Sequence, residues 1–207
     1  MLKKLLGDRN WFRIAKRYAW QCIVFSLSLI LILGGYRLPG AGGQQTPTAN
    51  YKTFTDWCTN KAKLKSEERR TVDALLEKAE TNECEAASHN LSSLSELIII
   101  YNEISDITPL TSLTNLTDLE LSNNQISDIT PLKSLTKLTN LNLGFNQISD
   151  FTPLTSLTKL TNLYLNSNQI SDFTPLTSLT NLTGLIFYDN LGANETCPLK
   201  PESICGF

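Results

Sequence analysis

The apolar residues of positions 91–190 recur with a period of 22 residues, and polar residues fill the intervals. Five units begin at leucines that share this spacing: Leu91, Leu113, Leu135, Leu157 and Leu179. The three middle units, 113–134, 135–156 and 157–178, differ at only a few positions. A fixed period of this length predicts a solenoid, in which each unit buries its apolar face only against its neighbours.

Two patterns alternate inside each unit. Leu119 and Leu121 are separated by one residue, which is typical of a short strand. Thr130 followed by Pro131 predicts a helical turn, with Thr at the N-cap and Pro at the first helical position. Strands stack at about 4.8 Å and helical turns need more room, so the stack bends with the strands inside. The pattern therefore predicts an α/β solenoid: a short curved arc of about five parallel strands.

Two polar columns repeat with the strands. An asparagine follows each strand, and we expect these amides to form a ladder of hydrogen bonds with adjoining coils, because an amide both donates and accepts; the residues are Asn102, Asn124, Asn146, Asn168 and Asn190. An aspartate column follows at Asp106, Asp128, Asp150 and Asp172. Carboxylates about 5 Å apart are too sparse for the six to eight ligands of calcium, so we expect them to cap turns. No metal site is predicted.

Each end of the repeats has a different character. Residues 51–90 predict a helical N-terminal cap, with Thr53 and Asp56 as a capping pair and a second helix that opens at Ser66 and ends near Asn82. Residues 191–207 break the repeat pattern and predict a C-terminal cap. Such caps shield the apolar edges of the terminal units from water.

The first 43 residues predict export. Basic residues come first, then the apolar run 22–33, then small residues at 41–43, as in a secretory signal peptide. A signal anchor is the alternative, because residues 19–36 approach the roughly 20 residues that cross a bilayer and would tether the protein to the membrane. Residues 44–50 predict a linker. Either reading places the body outside the cytoplasm.

Four cysteines follow the leader, an even number, which is typical of a secreted protein with disulfides. Three pairings are open. The local one joins Cys58 to Cys84 and Cys197 to Cys205, and it is favoured because each bond would close one cap.

Charge and composition exclude several functions. From Gln44 onward the chain has eleven basic and nineteen acidic residues, a net charge of −8, which argues against nucleic acid as a partner. The only histidine, His89, lies at a boundary between cap and repeats, and no catalytic set, phosphate-binding loop or metal-spaced cluster accompanies it. The sequence predicts neither an enzyme nor a cofactor.

The repeat motif L-x-x-L-x-L-x-x-N-x-I, with S-D-[I/F]-T-P-L after it, resembles the internalin-type 22-residue leucine-rich repeat. The leader, the YKTFTDWC helical cap and the CPLKPESIC tail resemble secreted leucine-rich repeat proteins of bacteria, notably cyanobacteria. The resemblance implies a curved solenoid that binds protein and has no catalytic residues. It names no receptor.

The repeats vary mostly where strand residues point outward. We predict that this concave surface binds an unidentified protein or peptide through aromatic anchors and polar contacts: Tyr101, Glu120, Asn142, Phe145, Tyr164, Asn166, Ile186 and Tyr188. The chain is therefore interpreted as a non-catalytic extracytoplasmic binding module. The alternative is a structural protein for surface attachment, anchored in the membrane by its leader.

Overall fold

The chain divides into two units, Met1–Pro47 and Thr48–Phe207, and every residue described below lies in the second. The computed structural model describes residues 51–191, 197, 199 and 201–206. The predicted leader at 1–43, the tether at 19–36 and the linker at 44–50 lie outside these residues. Among the helices that the structure describes, none is long and apolar enough to cross a bilayer.

Three α-helices precede the sheet: α1 at Phe54–Thr59, α2 at Ser66–Ala79 and α3 at Cys84–Ser92, with a 3-10 turn at Lys61–Lys63. The capping pair before α1 is confirmed. The Asp56 backbone N–H donates to Thr53 Oγ1 at 3.1 Å, and the Thr53 N–H donates to Asp56 Oδ2 at 2.9 Å. Both bonds use N–H groups that a helix start leaves unpaired.

The second helix of the cap begins where the sequence predicted and ends earlier. Ser66 is the first residue of α2, which ends at Ala79 with Glu80 in a left-handed conformation, before the predicted stop at Asn82. Helix α3 was not predicted, because Ala87 and Leu91 are its only buried residues and give a weak apolar stripe. Since α3 runs to Ser92, helix occupies the start of the first predicted repeat.

Six short parallel strands form one sheet in sequence order. They are β1 (Glu96–Ile98), β2 (Asp118–Glu120), β3 (Asn140–Asn142), β4 (Asn162–Tyr164), β5 (Gly184–Ile186) and β6 (Cys205–Gly206). The register follows the repeat, so that Leu119 lies opposite both Leu97 and Leu141. Five strands were predicted. The sixth comes from the C-terminal cap, where Cys205 pairs with Leu185 outside the 22-residue pattern.

Short 3-10 helices return the chain on the outer side of each coil: Thr108–Ser112, Thr130–Ser134, Thr152–Ser156 and Thr174–Ser178. The prediction of threonine at the N-cap is wrong, because Ile107 occupies the first N-cap and Thr108 begins the helix. The cap is supplied by the aspartate column. Asp106 Oδ1 accepts the Thr108 N–H at 2.8 Å, and the later coils repeat this bond at 2.7–2.8 Å.

Leucine, isoleucine and phenylalanine side chains fill the space between sheet and outer turns in one continuous core. Phe173 contacts Phe151 and Phe187, with ring centroids 5.9 and 5.1 Å apart. The N-terminal cap joins this core: Thr71 Oγ1 donates to the Asp106 carbonyl at 2.5 Å, and Arg70 forms an ion pair with Glu103 at 3.0 Å. The first coil is thereby covered on its open side.

Both disulfides have the local pairing. Cys58 in α1 is bonded to Cys84 at the start of α3, and Cys197 is bonded to Cys205 in β6. The first bond closes the helical cap across 26 residues, and the second fixes the strand that completes the sheet.

Candidate functional site

A tight turn follows each of the strands β1–β5. The residue just before each ladder asparagine has a positive φ of 55–57° at Tyr101, Asn123, Phe145, Ser167 and Asp189. Asn and Asp tolerate this left-handed conformation, whereas other side chains pay about 1–2 kcal/mol for it. Tyr101 and Phe145 therefore occupy positions whose backbone does not favour them.

The ladder asparagines bond to neighbouring coils. Asn146 Nδ2 donates to the Leu121 carbonyl of the preceding coil at 3.1 Å and to the Leu143 carbonyl of its own coil at 3.0 Å. Its Oδ1 accepts the Ile126 N–H at 3.0 Å. Asn124, Asn168 and Asn190 make the equivalent bonds. Because each amide satisfies buried backbone groups, these residues support the coil and are not available to a partner.

Asn102 differs from the other four. It has no preceding repeat, and its Nδ2 donates to the Ile100 carbonyl in its own turn at 2.8 Å. This asparagine therefore carries less of the structure than its equivalents.

Twenty residues in four columns make up the surface that we call the concave face. The first coil contributes positions 96, 98 and 100, which alternate along the strand side, and position 101, which has the left-handed backbone. The other four coils contribute the equivalent positions at intervals of 22 residues, through 189. Asp118 and Glu120 lie on either side of buried Leu119, so this face is opposite the core. It contains all eight residues predicted to bind.

The predicted anchors differ in accessibility. Tyr101, Phe145, Tyr164 and Tyr188 are exposed by 58%, 50%, 37% and 44%. Glu120, Asn142 and Ile186 are half-buried. Asn166 is only 7% exposed, so little of its side chain can reach a partner, and we leave it out of the proposed contacts. It lies over Gly144, where an added Cβ would come within 2.8 Å of Asn166 Oδ1.

Two exposed residues were missed as anchors. Ile98 and Ile100 in the first coil are exposed by 41% and 38%. The sequence signal was present, because both stand in variable outward columns, but an Ile-rich run next to a cap also fits burial under that cap. The structure shows that the cap leaves these two side chains uncovered.

Amide and carboxylate groups occupy the centre of the concave face. Asn142 Nδ2 donates to Glu120 Oε2 at 2.8 Å, while Glu120 Oε1 accepts the Ser122 N–H at 3.1 Å. In the neighbouring column, Asn162 Nδ2 donates to Asn140 Oδ1 at 2.6 Å, and Asn140 Nδ2 donates in turn to Asp118 Oδ1. These bonds fix the side chains across strands β2–β4.

A depression of about 180 Å³ lies over strands β1–β4. Its lining includes Glu96, Asp118 and Glu120 together with Ile98 and Tyr164. No three His, Cys, Asp or Glu side chains in the described part of the chain are grouped so as to hold a metal ion. The depression therefore combines carboxylates with apolar side chains, as surfaces that contact other proteins do.

Resolved pKa shifts in the repeats lie away from the concave face. The Thr174 side-chain hydroxyl and then its backbone N–H lower the pKa of Asp172. Thr152 does the same for Asp150, whose pKa Lys133 lowers slightly further. Both carboxylates cap outer turns, so these shifts reflect structure and give no sign of a catalytic acid or base.

Known proteins share the repeat. The family model for leucine-rich repeats in two copies matches three overlapping segments, 92–134, 114–156 and 136–178. Internalin C2 from Listeria monocytogenes is 43% identical, with a TM-score of 0.52 over 57% of this chain and 52% of its own. Residues 92–178 thus match the leucine-rich repeat family model, and the repeats are similar to those of internalins.

Two further solved structures match the internalin-type repeats. An internalin (inlF) from Listeria monocytogenes is 46% identical over 50% of this chain, with a TM-score of 0.48. A leucine-rich repeat protein from Leptospira interrogans is 27% identical over 53%, also with a TM-score of 0.48. This chain covers 31% and 29% of those two proteins, and about half of internalin C2. No curated protein matches the sequence.

Proposed function

We propose that this chain is a non-catalytic extracytoplasmic module that binds a protein or peptide through its concave face. Leucine-rich repeat proteins commonly bind proteins, and the internalin-type repeats support protein binding as the general role of this chain. The choice of face rests on the distribution of exposed apolar side chains.

That distribution is uneven. Seven large apolar side chains are exposed among the described residues, and six of them are on the concave face: Ile98, Ile100, Tyr101, Phe145, Tyr164 and Tyr188. The seventh, Leu191, follows the last repeat. Unconstrained variation would spread exposed apolar residues over every solvent-facing column, whereas a set confined to one face marks an interaction surface. This clustering carries the proposal.

Coil packing does not require these side chains. The left-handed column has Asn123 where other coils have Tyr101 and Phe145, and all three adopt the same φ. An aromatic residue at that position costs backbone energy, which Asn123 and Asp189 avoid. The ring of Phe145, retained at such a cost, is best explained by a contact outside the coil, and aromatics commonly dominate interface energies.

The compartment is inferred from the cysteines. Cys58–Cys84 and Cys197–Cys205 are both bonded, and disulfides persist mainly outside the cytoplasm. The leader at 1–43 supports export as a signal peptide or, alternatively, as an anchor. Sequencing the N-terminus of the mature protein separates these readings: a start near Gln44 means release, and an intact Met1 means tethering.

Site-specific photo-crosslinking in the producing cells tests the binding face. A photoreactive phenylalanine analogue is placed at Tyr164 or Tyr188, or at the outer-side controls Lys133 and Lys159. We expect one crosslinked protein from both tyrosine positions and none from the lysine positions. Equal crosslinking from both sides, or crosslinks from the outer side alone, would reject the concave face.

A further inference from the structure

We propose that the concave face takes a partner segment that inserts an arginine side chain into the depression between Glu96, Asp118 and Glu120. This inference rests on the proposed protein-binding function and adds the chemistry of the segment that the face accepts.

The charge of the concave face has one sign. Of its twenty positions four are acidic, namely Glu96, Asp118, Glu120 and Asp189, and none is Lys or Arg. Basic residues of the repeats stand elsewhere in each unit, as at Lys133, Lys137 and Lys159. Three of the four acids line one depression. A partner of complementary charge is therefore cationic.

Two of the three carboxylates are held in place. Glu120 accepts the Ser122 N–H at 3.1 Å and the Asn142 amide at 2.8 Å. Asp118 accepts Thr117 Oγ1 at 2.6 Å and also the Asn140 amide. Carboxylates that are already oriented lose less conformational entropy when a partner binds, which favours affinity.

In the row of positions 96, 118, 140 and 162, the amide hydrogens are already donated within the protein. Asn140 donates both amide hydrogens, to Asp118 and to Thr139 Oγ1, and Asn162 donates to Asn140 and to Thr161 Oγ1. The amide donors of this row are thus used within the face, while carboxylate oxygens keep free lone pairs. Glu96 is exposed at the open edge of the same row. A donor-rich group fits such a surface, and a second acceptor does not.

Ile98 lines the depression on its β1 side and Tyr164 lines it on its β4 side. A guanidinium is planar, carries five donors, binds carboxylates with two parallel hydrogen bonds and stacks on aromatic rings. An ammonium group is more strongly hydrated and gains less from apolar walls. The combination of fixed carboxylates with an aromatic wall therefore favours arginine over lysine. It also disfavours a metal ion, for which the described residues offer no cluster.

Selection from a random library of linear dodecapeptides on the immobilised full chain tests this inference. We expect arginine to be enriched, with apolar residues beside it. The triple variant Glu96→Gln, Asp118→Asn, Glu120→Gln should lower the affinity of enriched peptides at least about tenfold, and raised salt should weaken binding to the parent chain. The matched control, Glu77→Gln, Glu83→Gln, Glu85→Gln, removes the same charge from the cap helices and should bind as the parent does.

The outcomes separate this inference from the function beneath it. Peptides that need Tyr164 and Tyr188 but show no arginine enrichment overturn the inference and leave the binding face intact. Peptides whose binding survives both the triple variant and the double variant Tyr164→Ala, Tyr188→Ala, or a selection that enriches nothing, contradict both the inference and the binding face. If the triple variant unfolds, Glu96→Gln alone replaces it, because no described residue donates a hydrogen bond to that carboxylate; an unchanged affinity there overturns the inference.

Discussion

Leu141 and Asn142 are neighbours in β3, but Leu141 packs in the core and Asn142 lies on the concave face. Leu141 is fully buried and lies between Leu119 and Leu163, which are its equivalents in the adjacent strands. Asn142 is half-buried on the concave face, and its equivalents are Glu120 and Tyr164. The interior column of Leu141 is leucine in all five coils, while the concave column of Asn142 differs between every pair of adjacent coils.

The contrast shows how a repeat separates folding from recognition. Parallel pairing holds each strand through its backbone, so the residue that points outward does not affect the register. Core leucines fill the interior of the coil and ladder asparagines pair its buried backbone groups. The outward positions of repeats 113–178 are therefore free to differ.

Substitution of Leu141 by Ala should lower the free energy of unfolding by about 3 kcal/mol, because it leaves a cavity in a fully buried position. Substitution of Asn142 by Ala should cost under about 1 kcal/mol, since the amide loses hydrogen bonds in a half-exposed setting. Urea unfolding of the two variants measures the difference. Equal losses would show that the two faces are energetically coupled.

Within the ladder, Asn146→Ala should cost about 2–3 kcal/mol, because the buried carbonyls of Leu121 and Leu143 lose their donor. Asn102→Ala is the matched control, and it should cost about 1 kcal/mol or less, because the side-chain amide of Asn102 donates only within its own turn and the backbone N–H that reaches Asn124 is kept. Urea unfolding again provides the measurement. A loss at Asn102 as large as that at Asn146 would mean that the cap depends on this amide in a way its contacts do not show.

Phe145 tests whether recognition residues cost stability. Phe145→Asn should be more stable than Phe145→Ala by about 0.5–1 kcal/mol, because asparagine tolerates the left-handed backbone of this position. Both variants lose the ring, so they should lose partner binding alike. At Tyr164, an extended strand position, the same pair of substitutions should differ little. Equal stabilities at Phe145 would remove the argument that its ring is kept at a cost.

The interior could be predicted from the sequence because its causes repeat. The positions of the strands and of the core leucines follow from a spacing that recurs in five units. The local disulfide pairing followed instead from the position of the cysteines, one pair in each cap. Elements without repetition were missed: helix α3 has only two buried apolar residues, and β6 comes from a tail outside the pattern. An element that occurs once in the chain cannot be compared with other copies of itself, and the pairing of β6 with the sheet depends on tertiary contacts.

The concave face was predictable as a set of columns, but its accessibility was not. Alternation placed Asn166 and Ile98 on the same face, yet Asn166 is buried and Ile98 is exposed. The difference comes from neighbours in adjoining coils, since Gly144 leaves space that the Asn166 side chain fills. Side-chain size across three coils decides exposure, and a single repeat does not contain that information.

We expect the smallest effect at the outer 3-10 helix Thr174–Ser178, on the side of the coil away from the proposed contacts. Asp172 accepts the Thr174 N–H at 2.8 Å, and hydrogen bonds from Thr174 lower the pKa of Asp172 in the folded state. A lowered folded pKa stabilises the fold above the unfolded value of about 3.9, and that stabilisation is lost as pH falls through the folded pKa. Asp172→Ala should therefore be less stable than the parent at pH 7, and the gap should close in acid.

Asp172→Asn separates the charge from the hydrogen bond, because its amide oxygen still accepts the Thr174 N–H but does not titrate. Urea midpoints of the parent and both variants, measured from pH 7 down to about pH 3, provide the test. We expect the Asn variant to lie between the other two at neutral pH, with the pH dependence of its midpoint matching that of the Ala variant. Partner binding at neutral pH should be the same in all three proteins. A change in binding would show that the outer turns and the concave face are not independent.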